Sequence, residues 1–143
     1  MTAARPLATE GQLVRMLQQA LPYALPDVLV FSRPIVNAQA TARGNTWRVR
    51  AGVPGQADLY AVARGGLHVE IETKSFAGHD RGRLQTAQIA WRRRCQELDI
   101  PHLVLRALRG EAPGATVERW VREVRSVFET HPLGRGATDP LQT

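Results

Sequence analysis

The chain has 143 residues, 43% hydrophobic and 22% charged, enough for one domain with a sizeable core and too few for two; this composition excludes a disordered or collagen-like chain. Nineteen basic residues against thirteen acidic ones give a formal charge of +6, a balance that suits an anionic partner such as nucleic acid. The single cysteine, Cys95, excludes an intrachain disulfide, no apolar run approaches membrane-spanning length, and the opening MTAARPLATEGQ lacks the apolar stretch of a signal peptide, so a soluble, cytoplasmic protein is expected.

In chain order, Thr9 to Leu21 has helical spacing, with Leu13, Met16, Leu17, Ala20 and Leu21 on one face and Thr9 as N-cap. DVLVFSRPIVNAQ is β-rich but interrupted by Pro34, which predicts a broken or edge strand, and NTWRVRAG alternates as a second short strand. ADLYAVARGGLHVEIETK is the clearest hairpin, turning at Arg64-Gly65-Gly66. SFAGHDRGR is a polar loop. A second helix is expected from Gly82 to Leu98, with Leu84, Gln88, Trp91, Cys95 and Leu98 along one stripe and Arg92 to Arg94 fanning outward. HLVLRAL is a short buried strand. TVERWVREVRSVFE is a last amphipathic helix whose apolar face carries Val117, Trp120, Val121, Val124, Val127 and Phe128. These elements predict an α/β fold, a small mixed sheet flanked by helices, in a single domain over residues 1–130 followed by a tail at 131–143. The last strand follows a crossover helix and is expected to run parallel to a hairpin strand.

The second hairpin strand, LHVEIETKSF, alternates strictly, with His68, Glu70, Glu72 and Lys74 on one side. A three-residue turn at 64–66 places Ala63 opposite Leu67 and hence Asp58 opposite Glu72; a two-residue turn would place Thr73 there instead. Facing carboxylates with Cβ atoms about 5 Å apart repel unless a cation intervenes, and Mg²⁺ takes one or two carboxylates plus water and phosphate oxygens. Lys74 is the only lysine among the nineteen basic residues. In a chain that otherwise uses arginine, a lysine here points to a role that a compact, titratable ammonium serves and a guanidinium does not. The bland alternative is a solvated strand face with an incidental Glu-Lys contact.

GVPGQADLY, then EIETK, then LQTAQIAW resembles the VRR-NUC branch of the PD-(D/E)xK nuclease superfamily, over roughly Glu10 to Arg106. That pattern is a Gly-rich approach to an Asp, a hairpin, Glu-x-Lys, and a Gln on the following helix, here Gly55 with Asp58, Glu72 with Lys74, and Gln88. Ala57 stands where many relatives have Pro. The resemblance implies a restriction-endonuclease-like core and a Mg²⁺- or Mn²⁺-dependent endonuclease acting on DNA, with four-way junctions or other branched DNA as the favoured substrate and a homodimer as one form. It implies Asp58, Glu72 and the Thr73 carbonyl as metal ligands and Lys74 as the group that positions or activates water. It further implies Gln88 as an orienting residue and Glu10, on the first helix, as a further member of the site.

Arg43, Arg48, Arg50, Arg81 and Arg83 flank this region on strand and loop and are the candidates for DNA phosphate contacts. With no recognition helix in view, binding by phosphate and shape is expected rather than base reading. Glu70, opposite Tyr60, reads as a surface or supporting carboxylate, Glu10 equally as a first-turn acid favoured by the helix dipole, His79 as a loop histidine, and Cys95 as core. His68 and His102 lack zinc-ligand spacing. The competing functional readings are a nuclease of restriction or repair type and a catalytically silent nucleic-acid-binding module.

Overall fold

The computed structural model describes residues 7–33, 36–77 and 82–131. Helix α1 spans Glu10–Ala24. Strands β1 (Leu29–Ser32), β2 (Val36–Ala42), β3 (Asn45–Ala51), β4 (Leu59–Val62) and β5 (His68–Lys74) follow, then α2 (Thr86–Glu97), β6 (His102–Arg106) and α3 (Pro113–Thr130). Four strands form a mixed sheet in the order β1-β4-β5-β6, while β2 and β3 pair only with each other. The fold is thus mixed α/β, and among the described residues no helix is long and apolar enough to cross a membrane.

The first helix starts where its cap chemistry places it. Thr9 accepts from the Gln12 backbone N–H, and the Gln12 side chain accepts from the Thr9 N–H, a reciprocal cap that satisfies two otherwise orphaned donors. It runs three residues past Leu21, with Pro22 in its last turn. Helix α3 begins earlier than its apolar periodicity suggests because Pro113 sits at the first turn, where a missing N–H costs nothing. Leu13, Leu17 and Leu21 of α1 and Val117, Trp120, Val124 and Phe128 of α3 enclose Leu59, Ala61, Val69, Ile71 and Leu105 of the sheet in one apolar core.

The hairpin register is the one expected from a three-residue turn. Leu59 faces Ile71, Tyr60 faces Glu70 and Val62 faces His68, with Gly65 and Gly66 both at φ 80° in the turn. β6 runs parallel to β5, pairing Glu72 with Val104 and Lys74 with Arg106.

Three features depart from the sequence reading. β1 is a sheet edge, as Pro34 suggested, but β2 and β3 form their own hairpin around Arg43 and Gly44, both with positive φ (52° and 79°), a turn that suits a two-residue connection. Helix α2 starts at Thr86 rather than Gly82, because Gly82 is left-handed at φ 79° and Gln85 supplies the cap. Its expected apolar stripe is only partly used: Cys95 is buried, but Leu98 is 53% exposed. The side of α2 toward the sheet meets polar groups, with Gln88 bonded to Glu72 and Trp91 5.9 Å from the Arg33 guanidinium, so beside Cys95 it carries these residues rather than a run of leucines.

Candidate active site

The polar side of β5 is not a solvated strand face. Glu70, Glu72 and Lys74 are 2%, 1% and 2% exposed. Burying charge this deeply is costly unless each group is paired, so the partners define the site.

Glu70 lies in a buried ion pair rather than at the surface. Both Arg33 guanidinium nitrogens donate to its two oxygens, and His68 Nε2 lies 2.9 Å from Oε1. Burial alone would raise its pKa, but the Arg33 and His68 contacts outweigh that and hold it below the ordinary value. Arg33 also stacks on Tyr60 at 4.4 Å, and its backbone N–H bonds to the Asp58 carbonyl at 3.0 Å. Nothing in the sequence distinguishes Arg33 from the other arginines, since its partner Glu70 is 37 residues away.

Glu72 stands differently. The Gln88 amide Nε2 donates to Oε1 at 2.5 Å, and Lys74 Nζ lies 3.6 Å from the same oxygen. Oε2 is buried and has no hydrogen-bond partner among the described residues. Burial, and after it the nearby Asp58 carboxylate, push the Glu72 pKa up to about 8 despite Lys74. Asp58 is held by Thr73, whose backbone N–H and Oγ1 both donate to Oδ2 at 2.8 Å. Lys74 lies between two carboxylates, because Glu10 Oε1 is 4.0 Å from Nζ and also accepts from the Ser75 N–H at 3.3 Å. The N-terminus of α1 thereby joins the end of β5.

Gln88 is oriented by its own helix. It is the third residue of α2, and its Oε1 accepts from the Gln85 N–H at 2.8 Å while Nε2 reaches Glu72. Gly55 makes this approach possible. It sits at φ 80°, and a Cβ there would stand 2.1 Å from the Ala87 carbonyl oxygen and 2.7 Å from Gln88 N. The Gly-rich lead-in to Asp58 therefore packs backbone against backbone on the first turn of α2.

Asp58, Glu72, Thr73, Lys74, Gln88 and Glu10 thus form one connected group. The arginine candidates are more dispersed. Arg43 is exposed at the tip of the β2–β3 turn and Arg83 is exposed ahead of α2; Arg48 and Arg50 lie in β3. Arg81, His79, Asp80 and residues 132–143 of the expected tail lie outside the described residues. Arg106, not singled out in the sequence, faces Lys74 across the sheet and donates from Nη1 to the Gly82 carbonyl. His102 pairs with Glu70 in the ladder, and its pKa is lowered, first by burial and then by Arg92.

Among the described residues, no three His, Cys, Asp or Glu side chains close up as a metal cluster. What is present is two neighbouring carboxylates, one with an unpartnered buried oxygen, beside a buried ammonium. Such a sparse set of hard oxygens fits a Mg²⁺-type ion that completes its shell with water and phosphate, and fits a closed zinc site poorly. No known protein-family model matches the chain, and no curated protein matches it.

Proposed function

We propose that the chain is a metal-dependent DNA endonuclease with a restriction-endonuclease-like core, acting on branched DNA such as a four-way junction. The observation that carries this reading is Glu72. Its Oε2 is buried without a hydrogen-bond partner among the described residues, and burial with the neighbouring Asp58 charge raises its pKa, a cost that a cation bound beside Asp58 would offset.

On this reading Asp58 and Glu72, with the Thr73 carbonyl, hold Mg²⁺ or Mn²⁺. When bound, the ion supplies a lowered pKa for a coordinated water and charge neutralisation at the scissile phosphate. The protein's own groups do the rest. Thr73 fixes Asp58 through two donors, and Gln88 fixes the Glu72 carboxylate from the start of α2. Lys74 Nζ orients the attacking water and offsets negative charge growing on the phosphate oxygens. Glu10, bonded to the Ser75 N–H and close to Nζ, keeps that ammonium in place. The net charge of +6 favours the polyanionic substrate, and a homodimer would allow paired cuts across a junction.

The test is cleavage of a labelled panel of linear duplex, single strand, flap, splayed arm and four-way junction, each with Mg²⁺, Mn²⁺ and EDTA. Cutting that needs metal and disappears in both Lys74→Ala and Asp58→Ala is the expected result. DNA binding that is equal in EDTA, with no product under either metal, would replace this reading with a catalytically silent binding module.

A further inference from the structure

The sheet face that carries the candidate carboxylates also carries a row of aromatic rings that the site does not use. Phe31 of β1 faces Tyr60 of β4, and Tyr60 faces Glu70 of β5, with His68 two residues before Glu70 on the same side of its strand. The Phe31 and Tyr60 rings stack with centroids 4.9 Å apart and 17° between their planes, and Tyr60 and His68 stack at 5.2 Å and 8°. Strands in a sheet lie about 4.8 Å apart, so the three rings stand side by side across three neighbouring strands.

The row is open at its ends. Phe31 is 41% exposed, and the His68 side chain is 34% exposed. β1 is an edge of the four-stranded sheet, and among the described residues Tyr60 supplies the only ring stacked on Phe31. Cross-strand aromatic pairs stabilise sheets by themselves. Here, however, the apolar core lies on the opposite face, on Leu59, Ala61, Val69 and Ile71, and the ring row adds nothing to it.

Position and charge say what the row suits. Asp58 lies two residues before Tyr60, and Arg33, two residues after Phe31, bonds through its N–H to the Asp58 carbonyl. The rings and the carboxylates are thus neighbouring rows of one face, about 7 Å apart along the strands. Between Asp27 and Asp58 the chain has four arginines and no acidic residue. Glu70, beside the rings, is paired with Arg33 and His68, which offsets the charge that would repel an anion. A ligand that is flat, aromatic and anionic, and that continues the chain whose phosphate lies at the carboxylates, is a nucleotide with an unpaired base. Every base has a π-face, and aromatic side chains on an open sheet hold single strands by stacking on it. Paired bases in a duplex keep those faces on one another.

We infer that the row of Phe31, Tyr60 and His68 is a stacking site for an unpaired nucleobase of DNA, entered at Phe31. This rests on the endonuclease reading for its polyanion and narrows that reading's substrate. The branch that is cut then has unpaired nucleotides beside the cut, as in a splayed arm, a flap or an opened junction.

The experiment measures binding of the full chain, in EDTA so that nothing is cut, to a splayed arm in which a single base is removed at successive positions of one arm. Wild type is expected to lose about 5- to 150-fold in affinity at one or two positions near the branch, the usual effect of one stacked base, and little elsewhere. Phe31→Leu keeps the apolar bulk at a partly exposed position and loses the ring. It should bind the intact arm more weakly by the same factor and no longer distinguish the positions, whereas Phe31→Trp, which keeps a ring, should retain both properties. Equal wild-type affinity at every position overturns the inference. So does a loss in Phe31→Leu that is as large on fully paired duplex as on the splayed arm. A change from dimer to monomer in Phe31→Leu by light scattering, with the positional pattern intact, would assign the rings to a second copy of the chain and overturn it as well. The cleavage panel reads the parent proposal separately. A positional pattern without metal-dependent cutting keeps the stacking site and removes the endonuclease, while cutting without the pattern removes the stacking site alone.

Discussion

Replacing Gly55 by alanine tests whether the α2 cap and the carboxylate site are locked together. At φ 80° an alanine pays about 1–2 kcal/mol for its left-handed backbone. Its Cβ would also fall 2.1 Å from the Ala87 carbonyl oxygen, 2.2 Å from the carbonyl carbon and 2.7 Å from Gln88 N. Those are backbone atoms, so α2 must shift as a unit, and forced repacking of that kind costs about a further 1–3 kcal/mol. The total, about 2–5 kcal/mol, corresponds to a melting-temperature loss of roughly 5–20 °C for a chain of this size. Gly66→Ala is the internal control, because Gly66 has the same φ of 80° but nothing within 4 Å of its Cβ position. It should lose only the backbone part. Urea unfolding of both variants, compared at equal m value, gives the two costs. Metal-dependent cleavage by Gly55→Ala, assayed where it is fully folded, should fall further than the stability loss explains, since the displaced turn carries Gln88 away from Glu72. If Gly55→Ala costs no more than Gly66→Ala, the packing of this loop on α2 is not what holds the site.

With EDTA present, Glu72 should make stability fall as pH rises. Its folded pKa of about 8 lies above the ordinary 4.5, so its contribution is complete below 4.5 and is lost as pH rises through 8, a change on the order of 4 kcal/mol. Urea unfolding at pH 5 and 8.5 should show this slope in wild type and not in Glu72→Gln, and Mg²⁺ should flatten it in wild type; a wild type equally stable at both values contradicts the assignment. Thr73→Val removes the hydroxyl bond to Asp58 and leaves the backbone one, at a cost of about 1 kcal/mol. Calorimetric titration should show weaker Mg²⁺ binding, and unchanged affinity would mean that the backbone N–H alone fixes Asp58. Glu111, clasped first by Arg119 and also by Thr116, has its pKa lowered to about 2. Its contribution is present above pH 4.5 and is lost as pH falls through 2. Glu111→Gln should cost about 2 kcal/mol at neutral pH, part of the pairing being screened by solvent, and almost nothing at pH 2; an equal cost at both pH values would refute the pairing.

Local chemistry was legible in the sequence wherever one segment decides the outcome. The Thr9 cap, the turn at Arg64-Gly65-Gly66 and, given its three-residue form, the register that brings Asp58 beside Glu72 follow from residues a few positions apart, and so does the parallel run of β6 after its crossover helix. These choices depend on backbone dihedrals and side-chain periods, which short stretches of chain specify by themselves. Tertiary structure decided the rest. The burial of Glu70, Glu72 and Lys74 goes with partners from distant elements, Arg33 for Glu70, Gln88 of α2 for Glu72 and Glu10 of α1 for Lys74, which no local period could announce. Arg33 was chosen for Glu70, Arg106 for the Gly82 carbonyl and Gly55 for the first turn of α2 because folding brings together groups that lie far apart in the chain. Whether an alternating acidic strand is a wet surface or a buried set of carboxylates depends on what covers it, and that cover is a property of the packed fold.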